Sequence, residues 1–125
     1  MIKGIRKELE LTTGGNIYFV KTKQWPDGWM RNQRNGTNGD RYIIGHPNMF
    51  RHWHNNKMIQ VSILHEFGHC RNKFKSFFLN EVWASVYGFF KYRKAFAPHL
   101  TILDLLKDLW FNRAYFFGKV QQPDI

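Results

Sequence analysis

Cysteine, acidic side chains and long apolar runs are all scarce in this chain of 125 residues. The single cysteine, Cys70, cannot form an internal disulfide, which excludes the disulfide-rich secreted class and favours a reducing, intracellular setting. No apolar run approaches the roughly 20 residues of a membrane-spanning helix, so we expect no membrane contact. The first ten residues carry charge and lack the apolar core of a secretory signal, so a cytoplasmic location is expected.

The charge balance is strongly basic. Nineteen Lys and Arg face nine Asp and Glu, which gives a net charge of +10, and 18% of the residues are aromatic. Basic charge interleaved with aromatic rings suits contact with nucleic acid or with an acidic protein. The basic residues are spread along the whole chain, which fits a solvated basic surface as well. The length predicts a single domain over residues 1–125.

One short motif carries chemistry, His65-Glu66-Phe67-Gly68-His69, and it lies in a segment that is predicted to be helical. Histidines four residues apart share one face of a helix, so both imidazoles can bind the same metal ion. The glutamate between them lies close enough to hold a metal-bound water without being a ligand. The alternative is a core helix with two hydrogen-bonded histidines. The apolar flanks favour the metal, because such groups are costly to bury unpaired.

Apolar patterns and turn residues predict an α+β fold, with a small N-terminal antiparallel sheet packed on the motif helix and two further helices. A β-hairpin is predicted from residues 6–12 and 16–23, with Gly14 and Gly15 in its turn. A turn follows at 25–29 and a polar loop at 31–40. Residues 41–45 are predicted to form a third strand at the edge of the sheet.

Three helices follow in this prediction. The motif helix runs from about 55 to 72, the second from 79 or 80 to 94, and the third from 101 to 117. Thr101 followed by Asp104 is typical of a helix N-terminus.

A catalytic zinc takes three protein ligands, and the best candidate for the third is Glu81. It lies in the first turn of the second helix, which a short connection should place antiparallel beside the motif helix. Small residues share its face, and they let the two helices lie close together. Gly68 suggests a close approach on the other helix. The small residues on the second helix are Ala84, Ser85 and Gly88.

Other interpretations of these positions stay open. Glu81 can instead cap its helix, where acids interact well with the helix dipole. His99 is the second choice as a ligand. Cys70, next to His69, is interpreted as a small buried residue rather than as a metal-adjacent thiol. Three further histidines could reach the site from the preceding loop: His46, His52 and His54.

The pattern His65-Glu66-x-x-His69, followed by a helix bearing Asn80-Glu81-x-x-Ala84, resembles the zincin metallopeptidases. Within them it is similar to the gluzincin branch, whose third ligand is a glutamate on the next helix, and to the small ImmA/IrrE-type peptidases of phages and bacterial mobile elements. The resemblance covers residues from about 41 to 94. Eleven residues separate His69 from Glu81, which is fewer than gluzincins usually show.

The resemblance implies one zinc ion per chain, held by His65, His69 and Glu81, and hydrolysis of peptide bonds in a protein or peptide substrate. Glu66 would activate a zinc-bound water as general base and return the proton to the leaving amine. The strand at 41–45 would lie along the cleft and pair with an extended peptide. A further donor should stabilise the oxyanion, and the candidates are Tyr87 and His99, followed by Tyr92 and Tyr115.

Two rival functions remain. The first is a nucleic-acid-associated protein with a structural or regulatory metal site, which charge and aromatic content favour. A peptidase that acts on a nucleic-acid-bound protein would combine both. The second rival is an inactive zincin-like module that binds a metal or a partner without turnover. Divalent metals other than zinc also accept imidazole and carboxylate ligands.

Overall fold

A three-stranded sheet and six helices make up the described part of the chain. The structure is a computed structural model, and it describes residues 2–26, 29–34, 39–53, 55–71 and 74–116. The predicted α+β class is confirmed. The elements in chain order are α1 (Ile2–Thr13), β1 (Ile17–Lys21), β2 (Met30–Arg34), β3 (Arg41–Gly45), α2 (Pro47–Arg51), α3 (Lys57–Gly68), α4 (Phe77–Phe96), α5 (Ile102–Phe111) and α6 (Arg113–Phe116).

The predicted N-terminal hairpin is wrong, because residues 2–13 form helix α1. Leu9 is fully buried, and the good helix formers Arg6 and Lys7 before it are exposed to solvent. Gly14 has a φ of +77°, and its N–H donates to the Glu10 carbonyl at 2.9 Å. The glycine pair therefore ends a helix instead of turning a hairpin. Only the second half of the predicted hairpin is a strand, β1.

Strand β3 lies in the centre of the sheet and not at its edge as predicted. It pairs in parallel with β1 and antiparallel with β2, so the sheet is mixed. The predicted loop at 31–40 contains most of β2, whose polar residues show no apolar alternation. Backbone pairing with β3 makes β2 a strand. Tyr42 of β3 lies opposite Gln33 of β2 on one side and opposite Tyr18 of β1 on the other. In the predicted turn at 25–29, Trp29 N–H donates to the Pro26 carbonyl, while Asp27 and Gly28 lie outside the described residues.

The three predicted helices begin close to the predicted positions, and the first two also end close to them. The motif helix α3 starts after Asn56, whose side chain accepts from Ile59 N–H, and a 3₁₀ turn at residues 69–71 follows it. The predicted cap of α5 is confirmed, because the Asp104 carboxylate accepts from Thr101 N–H at 2.8 Å. The third helix is wrongly predicted to continue to 117: α5 ends before Asn112, a separate short helix follows, and residue 117 lies outside the described residues.

The hydrophobic core lies between the inner face of the sheet and helices α3 and α4. Ile43 of the central strand and Leu64 of the motif helix are fully buried there. No helix in the described ranges combines the length and the apolar character needed to cross a membrane. Other members of this core are Leu9, Ile17, Met30, Phe67, Phe89, Tyr92 and Phe96.

Candidate metal centre

Helices α3 and α4 contact each other through their backbones. A Cβ atom added to Gly68 would lie 2.0 Å from the Ala84 carbonyl oxygen, and one added to Gly88 would lie 1.9 Å from the Leu64 carbonyl oxygen. Neither position has room for any side chain, so the close approach predicted from the small residues is confirmed. The order of the contacts makes the two helices antiparallel. This packing places the second and third turns of α4, which carry Glu81 and Ala84, against the last turn of α3.

Three candidate ligands meet where these turns adjoin. The Nε2 atoms of His65 and His69 are 3.0 Å apart. The Glu81 carboxylate places Oε2 2.5 Å from His69 Nε2 and Oε1 3.7 Å from His65 Nε2. Glu81 is only 4% exposed, so it is not a surface cap. The structure thus brings together all three residues that the sequence predicts as ligands.

This donor set fits a tetrahedral ion. At metal–ligand distances of about 2.0 to 2.1 Å, neighbouring ligand atoms of a tetrahedral zinc lie about 3.3 Å apart. The separations of 2.5, 3.0 and 3.7 Å fall on both sides of that value. Shifts of under about 1 Å would seat the ion. Two imidazole nitrogens and one carboxylate also form a ligand set of the kind found in catalytic zinc sites, which keep the fourth position open.

Two further residues fix the ring of His65. Its Nδ1 lies 2.6 Å from Ser85 Oγ, so an N–H at Nδ1 can donate to the hydroxyl and leave Nε2 free to bind a metal. The Phe116 ring of α6 stacks on the imidazole at 6.0 Å, with the two planes 13° apart. Ser85 stands four residues after Glu81 on α4, so one face of that helix supplies both a ligand and its support.

Glu66 lies beside the ligands and is 5% exposed. One carboxylate oxygen of Glu66 and one ring nitrogen of each histidine all lie within 4.8 Å of one another. Burial raises the pKa of Glu66 to about 8, against the opposing effects of the His69 charge and a backbone hydrogen bond from Asn32. Asn32 also donates from its side chain to the Glu66 carbonyl at 2.6 Å and to Cys70 Sγ at 3.2 Å. Strand β2 is therefore anchored to the motif helix at the general-base candidate.

The electrostatics of the ligands favour metal binding. Burial lowers the pKa of His65, which keeps its imidazole neutral and its lone pair available. Burial alone would raise the pKa of Glu81, but the contacts of its carboxylate with His65 and His69 outweigh burial and hold that pKa at about 2. A neutral imidazole and an ionised carboxylate are the protonation states that a metal requires.

No protein-family profile, curated protein or solved structure matches this chain. The chemistry of the centre is therefore inferred from its donor atoms, their separations and their burial.

Several sequence candidates are placed away from this centre. His99 is exposed, and its Nε2 lies 2.7 Å from Gln60 Oε1, on a different face of α3 from the ligands. Tyr87 stacks on Trp83 at 4.9 Å, on a different face of α4 from Glu81. Neither is placed to serve as a ligand or oxyanion donor. Four candidates remain: His46 caps α2 through its Nδ1, His52 lines a separate cavity, and His54 and the Tyr115 side chain lie outside what the structure describes.

Two further candidates from the sequence, Cys70 and Tyr92, belong to the core. Cys70 is 6% exposed and contacts Asn32, which confirms that it is a small buried residue. Tyr92 is 1% exposed, and its ring packs edge-on against Phe67.

Sequence reasoning missed the roles of Ser85 and Asn32. The spacing from Glu81 could have identified Ser85 as a hydrogen-bond partner of a ligand, since it offers the hydroxyl that a metal-bound histidine needs. No local pattern could have identified Asn32, because its contact with Glu66 depends on which strand lies at the edge of the sheet.

Proposed function

We propose that this protein is a small zinc-dependent metallopeptidase of the zincin type, with a gluzincin-like ligand set of His65, His69 and Glu81. The observation that carries the proposal is the convergence of three donor groups from two helices, within 3.7 Å of one another, beside a buried glutamate. A metal bound there supplies Lewis acidity, which polarises a carbonyl and lowers the pKa of water.

Glu66 acts as the general base in this proposal. Its carboxylate takes a proton from the attacking water and gives it to the nitrogen of the leaving amine. The hydrogen bond from the Asn32 backbone orients the carboxylate, and its burial excludes bulk water from the proton transfer. The raised pKa of Glu66 belongs to the metal-free protein. The positive charge of a metal bound beside it would lower that pKa and favour the carboxylate form that a general base needs.

Strand β2 replaces β3 as the strand that receives the substrate. It is an edge strand, and it contacts the motif helix beside Glu66 through Asn32. An extended peptide can add to such an edge by main-chain hydrogen bonds, which places its backbone along the centre.

Metal content tests the ligand set. The purified chain is expected to hold about one zinc per molecule by elemental analysis, and Glu81→Ala to lose or sharply weaken that binding while keeping its helical circular dichroism. Glu10→Gln removes a carboxylate outside the centre and serves as the matched control. A folded wild type that binds no metal when zinc is offered would refute the proposal.

Hydrolysis tests the role of Glu66. Glu66→Gln preserves the size of the side chain and removes its basicity, so zinc should stay bound while cleavage of a peptide library falls by about 100-fold or more. Unchanged cleavage with the metal in place would contradict the assignment of Glu66. Zinc binding by the wild type without cleavage of any peptide would support the inactive, zincin-like module instead.

A second candidate function is the binding of single-stranded nucleic acid by the outer face of the sheet. Tyr18 and Tyr42 stack there at 5.0 Å, and the exposed Arg31 lies on the same face. Aromatic rings on a basic surface suit base stacking and phosphate contact. Fluorescence anisotropy with a labelled oligonucleotide should then show binding that weakens steeply with salt and is lost in Tyr42→Ala. Binding unaffected by either change would exclude this surface.

We also propose that the chain works inside the cell as a single domain. Its one cysteine is a buried thiol, as expected of a protein from a reducing compartment.

A further inference from the structure

A cavity of about 650 Å³ opens between the α2 region, the first half of α3 and the end of α5. Its volume lies within the range of small-ligand and side-chain pockets. Its wall combines polar side chains with apolar ones, and the apolar ones are Met49, Met58, Ile59 and Phe111. The polar lining residues that matter here are Asn48, His52, Asn56, Ser62, Asp108 and Asn112.

The Asp108 carboxylate is the acidic group in the wall of this cavity. It is 8% exposed, and the Asn112 amide donates to its Oδ1 at 3.0 Å. Within the described residues it forms no ion pair, so a neutral amide is what compensates its charge. Burial raises the pKa of Asp108 to about 6, which reflects the cost of a buried carboxylate without a cation. A positively charged group that entered the cavity would remove that cost.

The cavity adjoins the candidate metal centre. Ser62 lines it and precedes Glu66 by four residues, which is about 6 Å along the helix axis on the same face of α3. Helix α5, which carries Asp108, packs against α3. An extended peptide advances about 3.3 Å per residue, so the cavity lies within about two residues of a bond held at Glu66.

We propose that this cavity is a specificity pocket for a basic side chain, in which Asp108 pairs with a lysine or arginine near the scissile bond of a peptide. The inference rests on the proposed peptidase function and adds its substrate class. The Asn112 amide takes up one of the lone pairs of the carboxylate, and the others can accept from either a lysine or an arginine, so the pocket selects positive charge.

Equilibrium binding tests the pocket without turnover. The probes are two pairs of acetylated pentapeptide amides, with arginine or citrulline, and lysine or norleucine, at the central position. Titrations followed by calorimetry with zinc-loaded Glu66→Gln, which should hold the metal without cleaving the probes, should show about tenfold tighter binding of the charged member of each pair. The Asp108→Asn and Glu10→Gln changes are made in the same Glu66→Gln background. Asp108→Asn keeps the shape and the contact with Asn112, and it should reduce both ratios to below about two. Glu10→Gln removes the same charge outside the cavity and should leave them unchanged.

The outcomes separate this inference from the function on which it rests. Equal binding of charged and neutral peptides by zinc-loaded Glu66→Gln, or a preference that survives the added Asp108→Asn change, would overturn the pocket. Cleavage of peptides without any preference for basic residues would overturn it too, while supporting the peptidase. Charge-selective binding that depends on Asp108 but never leads to cleavage would support the pocket and contradict the peptidase.

Discussion

The carbonyl oxygen of Leu64 lies 1.9 Å from the point where Gly88 would carry a Cβ atom. No residue but glycine fits there unless the two helices separate. Since α4 carries Glu81 and α3 carries the histidines, this contact controls the distance between the candidate ligands.

Replacement of Gly88 by alanine should therefore destabilise the protein. Alanine gains about 1 kcal/mol in helix propensity, but overpacking against a backbone carbonyl is expected to lower the free energy of unfolding by about 2 kcal/mol net. Urea denaturation measures the change. Lys94→Ala, at an exposed position of the same helix, should stay within about 0.5 kcal/mol of wild type. A stabilised Gly88→Ala would mean that the helices lie further apart.

Loss of the Ser85 hydroxyl should weaken metal binding more than folding. Ser85→Ala removes the partner of His65 Nδ1, and loss of such a support typically lowers metal affinity about 10- to 100-fold. Competition with a chelating dye measures the affinity. Ser62→Ala makes the same substitution on α3, where the hydroxyl forms no hydrogen bond to a histidine in the described part of the chain, and should change affinity less than about threefold. Equal effects of both variants would contradict a specific role for Ser85.

Asn32→Ala should release β2 from the motif helix. The substitution removes donors to the Glu66 carbonyl and to Cys70, and we expect the free energy of unfolding to fall by about 1 to 2 kcal/mol. The neighbouring Gln33 is exposed on the other face of the strand, so Gln33→Ala is the control. If both variants unfold at the same urea concentration as wild type, the contact does not stabilise the strand.

The stability of the metal-free chain should depend on pH through Asp108. Its folded-state pKa of about 6 exceeds the ordinary value of 3.8, so the folded state binds the proton more tightly. The ionised form of Asp108 therefore destabilises the folded state. This destabilisation is absent below pH 3.8, grows as the pH rises to about 6, and reaches its full value of about 3 kcal/mol above that pH. Asp108→Asn should therefore raise the free energy of unfolding at pH 7.5 by up to about 3 kcal/mol, and by under about 1 kcal/mol near pH 4.

Urea denaturation in the presence of a chelator, at both pH values, measures this difference. The other charged or titratable groups around the same cavities are His52, Lys57, Asp104 and Lys107, and Asp108→Asn leaves them all in place. A stability gain that is equal at both pH values would show that the effect does not come from ionisation of Asp108.

The helical half of the fold is predictable from the sequence because its information is local. The apolar spacing of α3 and α4 and the Thr101–Asp104 cap are each contained within one element. The N-terminal segment fails because Glu8-Leu9-Glu10-Leu11 alternates like a strand, although its residues prefer a helix. Strand β2 and the central position of β3 depend on pairing between distant segments, which no local pattern contains.

The candidate centre is also only partly predictable from local sequence. His65, Glu66 and His69 follow from one motif on one helix, and Glu81 follows from the small residues on its face. Asp108 could not be selected in advance, because it reaches its cavity through the packing of α5 on α3. Asp108 lies thirty-nine residues beyond His69, and no local sequence pattern indicates that it lies near the motif helix.

The backbone contacts at Gly68 and Gly88 have a consequence for redesign of this protein. Main-chain atoms are the same whatever the surrounding sequence, so the closest possible spacing of α3 and α4 does not depend on the neighbouring core side chains. Most of the aromatic core could then be exchanged while the three ligand side chains keep their mutual positions. The two glycines would have to be retained in every such variant, together with Ser85 and Phe116, which hold the His65 ring.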